Sequence, residues 1–194
     1  MSETVLYLKN ALFHPLKTGA VLPSSERLSN RIVDEAHVSS ADVIVEFGPG
    51  TGALTQTIIE KMSPEATLVA MEINSDFAKR IRKRFPTARV FNACAGDTLK
   101  CLKSVGITEC DSIVSGLPWS VFSDALQKKL LGSVYEVLNP GGIFTSFAYT
   151  PMHMLPGGRK FKKNLEAVFG KIKKTETEWR NVPPAFIYRA VKKD

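Results

Sequence analysis

Apolar positions along the chain fall into two alternating patterns: short runs of β-branched and aromatic residues, and longer stretches with apolar residues three or four apart. The first kind, bounded by turn residues, reads as buried strand and the second as amphipathic helix. Strands are expected at 43–47, 67–72, 89–91, 111–115, 143–149, 173–180 and 185–191, and helices at 27–36, 52–62, 76–85, 98–103, 121–138 and near 159–169. Alternation of the two from residue 42 onward predicts an α/β fold, a mostly parallel sheet covered on both faces. Asn139-Pro140-Gly141-Gly142 is a stop-and-turn signal after the long helix, and Pro183-Pro184 joins the last two strands as an antiparallel hairpin.

The first 41 residues carry a different pattern. Residues 3–14 read as a short helix ending before Pro15, with Val5, Leu8 and Leu12 on one stripe, Leu6 and Phe13 flanking it and Lys9 between them. Such a helix either docks on its own domain or lies in a lipid interface with Lys9 snorkelling. Residues 15–25 are a Pro- and Gly-containing loop in which Ser24 or Ser25 caps the next helix. That loop, with Gly19 and Ser24, is either a lid over a bound cofactor or a plain connector.

Composition narrows the picture only in part. A chain of 194 residues, 44% hydrophobic and 23% charged, is read as one globular domain: a helical lid or membrane-contact segment at 1–41 and a core at 42–194. The net charge of +7 favours an anionic partner, a membrane face or nucleic acid. Cys94, Cys101 and Cys110 form no Cys-x-x-Cys pair, which points to reduced thiols and a cytoplasmic location. With no signal-peptide pattern and no apolar run of about 18 residues, any membrane contact is expected to be peripheral.

The candidate chemistry centres on Glu46-Phe47-Gly48-Pro49-Gly50-Thr51-Gly52, an acid at a strand end followed by glycine at every second position and then a helix. Glycine permits positive φ and close approach of a ligand to the backbone, and the helix turns its free N–H groups into the turn. This is a nucleotide-sized pocket at the carboxyl edge of an open sheet. Glu72, 22 residues after Gly50 at the tip of the next strand, is placed to accept hydrogen bonds from two ribose hydroxyls, with Ile73 beside it. Strand 111–115 runs into Gly116-Leu117-Pro118-Trp119, where the proline breaks the strand and turns carbonyls toward the pocket.

The Glu-x-Gly-x-Gly-x-Gly spacing resembles the first motif of class I methyltransferases that use S-adenosylmethionine (SAM). With the Gly116-Leu117-Pro118-Trp119 corner it resembles the group that contains ribosomal RNA adenine dimethyltransferases and bacterial phospholipid N-methyltransferases, which implies that Ser115, Gly116, Leu117 and Pro118 line the cofactor site. The resemblance implies a Rossmann-like fold with a seven-stranded sheet, SAM as cofactor, and an adenine contact from Asp97, for which a helix N-cap is the alternative. The chain departs from the RNA branch: Gly116 stands where that branch has Asn, Gly19-Ala20-Val21-Leu22-Pro23-Ser24-Ser25 replaces its Gln-Asn-Phe-Leu stretch, and only residues 150–194 follow the fifth strand. The lipid branch implies methylation of phosphatidylethanolamine, or its methylated forms, toward phosphatidylcholine by a monomer at the inner face of the cell membrane. Trp119 is then expected to offer a π face to a methylated nitrogen, and Tyr149 to accept or relay the amine proton. His153 is a weaker candidate for that role. The basic stretches 79–84 and 159–174 would attract anionic headgroups. RNA adenine methylation and a non-catalytic SAM-binding module are the alternative functions.

Overall fold

A computed structural model describes residues 26–193, so the expected helix at 3–14 and the loop carrying Gly19 and Ser24 lie outside the described residues. The elements are α1 (Glu26–Glu35), β1 (Val43–Phe47), α2 (Ala53–Lys61), β2 (Thr67–Met71), α3 (Ser75–Arg84), β3 (Arg89–Phe91), α4 (Thr98–Lys103), β4 (Cys110–Ser115), α5 (Asp124–Val137), β5 (Leu138–Tyr149), α6 (Thr150–His153), α7 (Pro156–Phe169), β6 (Lys173–Lys174) and β7 (Ala185–Val191). They build a seven-stranded sheet in the order β3-β2-β1-β4-β5-β7-β6. The first five strands are parallel, and β7 runs antiparallel to both β5 and β6.

Both faces of the sheet are covered, which is why its central strands read as continuous apolar runs. Val45, Phe47, Met71, Ile113 and Phe144 pack against Leu102, Leu130, Val134, Phe161 and Leu165 from α4, α5 and α7. On the opposite face Ile44, Leu68, Val114 and Ile187 meet Leu28 and Ile32 of α1, Leu54 and Ile58 of α2, and Ile81 of α3. The three cysteines are free and buried. Among the described residues no helix is long and apolar enough to cross a membrane.

Three expectations are corrected. The fifth strand begins at Leu138, not at 143, directly after α5. Gly141 at φ 78° and a register shift between Cys110 and Ser112 absorb the Pro-Gly-Gly turn, while Gly141 N–H donates to the Lys192 carbonyl. The strand expected at 173–180 is only two residues long. Past it the Thr175 hydroxyl accepts the Ile187 N–H, taking a ladder position with a side chain, and the pairing resumes only at Glu178 and Ala185. The helix expected from 121 starts at Asp124, because Ser123 caps it through the Leu126 N–H and residues 119–121 form a separate 3-10 turn.

Candidate active site

The motif-bearing loops all leave the carboxyl edge of the parallel strands. Gly48 N–H continues the ladder to the Met71 carbonyl, and Gly116 N–H bonds the Phe47 carbonyl at 2.8 Å, so the tips of β2, β1 and β4 form one ledge. Gly48, Gly50 and Gly52 have φ of 69°, 54° and 88°, where a side chain would be strained. Their surroundings differ. A Cβ on Gly52 would lie 2.7 Å from the Phe85 ring and 2.9 Å from Ile81, so this glycine lets α3 pack against the loop. One on Gly48 would meet Leu117 at 3.0 Å. A Cβ on Gly50 would have, among the described residues, only the Gly48 carbonyl within 4 Å, so of the three this position has room for a ligand against the backbone. Pro49 is buried and its carbonyl accepts the Gly52 N–H; Thr51 is exposed at the crest of the turn.

Two buried acids, Glu46 and Glu72, stand at the ends of β1 and β2 next to this loop. Glu46 is fully buried on the α2 face; its Oε2 accepts the Thr55 hydroxyl at 2.7 Å, and its Oε1 has no hydrogen-bond partner among the described residues. Desolvation pushes the Glu46 carboxyl up to about 8, and the neighbouring Glu72 charge adds to the effect. Glu72 is buried as well, with its pKa raised by burial, and it accepts N–H bonds from Asn74 at 2.8 Å and Gly50 at 3.0 Å. The acid expected to hold a ribose therefore also ties the Gly50 backbone to β2. Ile73 is half-buried next to it. A fully buried carboxyl oxygen with no partner among the described residues, two positions before the glycine turn, fits a cofactor that brings a cation, as the amino-acid end of SAM does.

The Gly116–Trp119 corner is organised by Ser115. Its hydroxyl accepts the Leu117 N–H at 3.3 Å and the Trp119 indole N–H at 2.9 Å. The Leu117 carbonyl, one of those the proline was expected to turn toward the pocket, accepts the Trp119 N–H within the turn. Pro118 leads into the 3-10 turn over 119–121. Trp119 is 2% exposed; Phe161 stacks on it at 4.8 Å, and Phe122 and Phe144 meet it edge-on. The expected open aromatic wall is instead part of the core, because α7 lays Phe161 over the indole.

Tyr149 ends β5 on the opposite face of the sheet, packed against the α1–α3 core, so the structure does not bring it together with Trp119. Asp97 stands at the N-cap of α4 without making a capping bond, and its carboxylate is exposed. His153 Nδ1 donates to the Thr150 carbonyl and its ring meets Phe186 edge-on at 4.9 Å, a packing role. In the basic stretch 79–84, Arg82 bonds the Val90 carbonyl and Arg84 the Thr51 carbonyl. Sequence reasoning missed Gln127, whose buried amide donates to the carbonyls of Trp119, Phe122 and Gly157 and accepts from Asn164. The signal was a polar residue on the buried face of α5, between Leu126 and Leu130.

This strand order, with a glycine loop after β1 and an acid at the tip of β2, defines a SAM-dependent methyltransferase. A structure of an O-methyltransferase from Bacillus cereus in complex with SAH superposes with a TM-score of 0.70 at 16% identity, over 99% of this chain and 92% of that one. The model of the family described as "Ribosomal RNA adenine dimethylase" matches residues 23–131, and the chain belongs to that family. It is 33% identical to an ornithine lipid N-methyltransferase of Singulisphaera acidiphila over 97% of this chain and 95% of the relative. It is 28% identical to a ribosomal RNA small subunit methyltransferase A of Rippkaea orientalis, over 60% of this chain and 43% of that protein.

Proposed function

We propose that the protein is an N-methyltransferase acting on the amine of a membrane lipid, phosphatidylethanolamine or an amino-acid-bearing lipid of the ornithine type. The observation that carries this reading is the end-to-end match to the ornithine lipid enzyme. The match to the ribosomal RNA enzyme covers less than half of that protein. The Gly116 position supports the same direction. A Cβ there would lie 2.9 Å from the Gly48 carbonyl, so this ledge has no room for the Asn side chain with which the RNA branch would hold an adenine amine.

SAM, when bound, supplies a methyl group on a sulfonium, and transfer to an amine is an in-line displacement that draws mainly on positioning. Gly48, Gly50 and the N-terminus of α2 form the cradle, Glu46 and Glu72 sit beneath it, and Ile73 and Asp97 are the adenosine-side contacts in this reading. The amine has to arrive neutral, and desolvation against the Gly116–Pro118 corner lowers its proton affinity. Tyr149, the last residue of β5 at the carboxyl edge, packs on the α1–α3 face away from Trp119, and this reading gives it no part in moving the proton.

The test uses purified full-length protein with methyl-labelled SAM and three acceptors: vesicles containing phosphatidylethanolamine, vesicles containing ornithine lipid, and unmethylated ribosomal RNA. Label in a lipid is the expected result. Label in RNA alone would replace this reading with adenine methylation. SAH binding with no transfer to any acceptor would leave a cofactor-binding module.

A further inference from the structure

Among the described residues the large apolar side chains left exposed are Met154, Leu155, Trp179 and Val182, between 48% and 74% exposed. They occupy two loops, the α6–α7 corner and the β6–β7 loop. Both loops lie at the edge of the sheet that carries the glycine turn, since β5 runs parallel to β1 and Tyr149 at its end pairs with Ala185 at the start of β7. Thr150 N–H donates to the Pro184 carbonyl at 2.8 Å and the His153 ring rests on Phe186, so the two loops are fastened to each other.

The β6–β7 loop is held rigidly while its apolar side chains point out. Glu178 and Ala185 exchange backbone bonds, the Asn181 amide bonds the Pro183 carbonyl, and Glu178 is paired with Arg27 of α1 at 2.9 Å. Asn181 is buried, and Trp179 and Val182 on either side of it are the two most exposed of the four. Folding has turned the polar residue inward and the apolar ones outward, which is the reverse of what water alone favours. Each apolar pair also has cations beside it: Arg180 follows Trp179, and exposed Arg159 and Lys160 follow Leu155. Apolar tips with an indole, rimmed by Arg and Lys, match the headgroup boundary of an anionic bilayer.

We infer that these two loops form a membrane-docking rim, seating Trp179, Val182, Met154 and Leu155 among the headgroups of an anionic bilayer so that the ledge faces lipid amines. This rests on the proposed lipid substrate and adds the surface that reaches it. The sequence holds only two tryptophans, and Trp119 is buried, so a change in emission on vesicle binding reports Trp179.

The experiment adds vesicles of phosphatidylglycerol and phosphatidylethanolamine to the full chain and follows tryptophan emission, with and without acyl chains brominated as quenchers. Trp179 emission is expected to move to the blue and be quenched. W179S/V182S and M154S/L155S should each lower vesicle partitioning by about ten-fold or more, with unchanged melting temperature, and lose methylation of lipid in vesicles but not in detergent micelles. Vesicle binding without quenching of Trp179, no binding at all, a Trp179 already blue because another part of the chain covers it, or a response to RNA or protein alone would each overturn the rim. Quenching with no methylated lipid would uphold the rim and remove the lipid-substrate reading; methylated lipid with Trp179 unquenched would do the reverse.

Discussion

The carbonyl oxygen of Gly48 stands 2.9 Å from where a Cβ on Gly116 would be, so the tips of β1 and β4 meet backbone against backbone at this point. The two loops of the site are therefore one mechanical unit. Gly116→Asn, which restores the residue type of the RNA branch, should displace the Gly48–Gly50 turn. We expect about 1–3 kcal/mol of lost stability and SAH affinity weakened at least about ten-fold, against a smaller loss for Gly116→Ala. Calorimetric titration with SAH checks this; wild-type affinity in the Asn variant would show that the ledge yields freely.

Glu46 makes the apoprotein sensitive to pH. Its carboxyl titrates near 8 in the fold against an ordinary value of 4.5, so the folded state holds the proton more tightly than the unfolded chain. The resulting stability is complete below about pH 4.5 and is lost as pH rises toward about 8, a change on the order of a few kcal/mol. Denaturation midpoints of the apoprotein should drift downward across that window, and Glu46→Gln should flatten the drift. A cationic ligand group beside the free oxygen favours the ionised form. SAH should bind more tightly as pH rises toward 8 and release a proton on binding, measured as a dependence of binding heat on buffer ionisation. A flat affinity profile with no proton release would detach Glu46 from the ligand.

Gln127 ties the Trp119 corner to two helices, α5 and α7. Replacing it with Leu keeps the volume but leaves the carbonyls of Trp119, Phe122 and Gly157 without their buried donor. A loss of about 2–4 kcal/mol is expected, read as a shift in the urea midpoint without change in slope. Gln127→Glu at neutral pH should be worse, since an ionised carboxylate would face three carbonyls.

Much of this was legible from local pattern. The bounds of β1, β3, β7 and α4 follow from apolar runs and breakers, and the glycine motif with its acid at the next strand tip follows from spacing. What a window of sequence cannot separate is purpose among like residues. Gly50 and Gly52 look alike in the motif, yet one has open space above it and the other receives the Phe85 ring from a helix more than thirty positions away. Trp119 after a proline reads as a pocket wall until Phe144 and Phe161, distant in sequence, are brought onto it. The early end of β6 was hidden for a related reason: Thr175 is a good strand residue by propensity, but its hydroxyl competes with its own backbone for the Ile187 N–H.

The indole of Trp119 offers the sharpest separation of a structural from a chemical role. With its N–H on Ser115 and Phe161 stacked on the ring, it should act through the shape of the corner. Ser115→Ala removes the acceptor of that N–H and is expected to cost about 1–3 kcal/mol. Trp119→Phe keeps an aromatic in the slot but opens a cavity and frees the serine, with a loss of similar size or larger. Because both variants break the same bond, the double variant should lose less than the two single losses added together, a coupling that a double-mutant cycle reads directly. KM for the methyl acceptor and kcat should then follow the loss of stability in both variants. A Trp119→Phe protein that melts normally but turns over at least about ten-fold more slowly, beside a Ser115→Ala protein of normal activity, would place the indole on the substrate amine instead and require α7 to swing Phe161 aside during turnover.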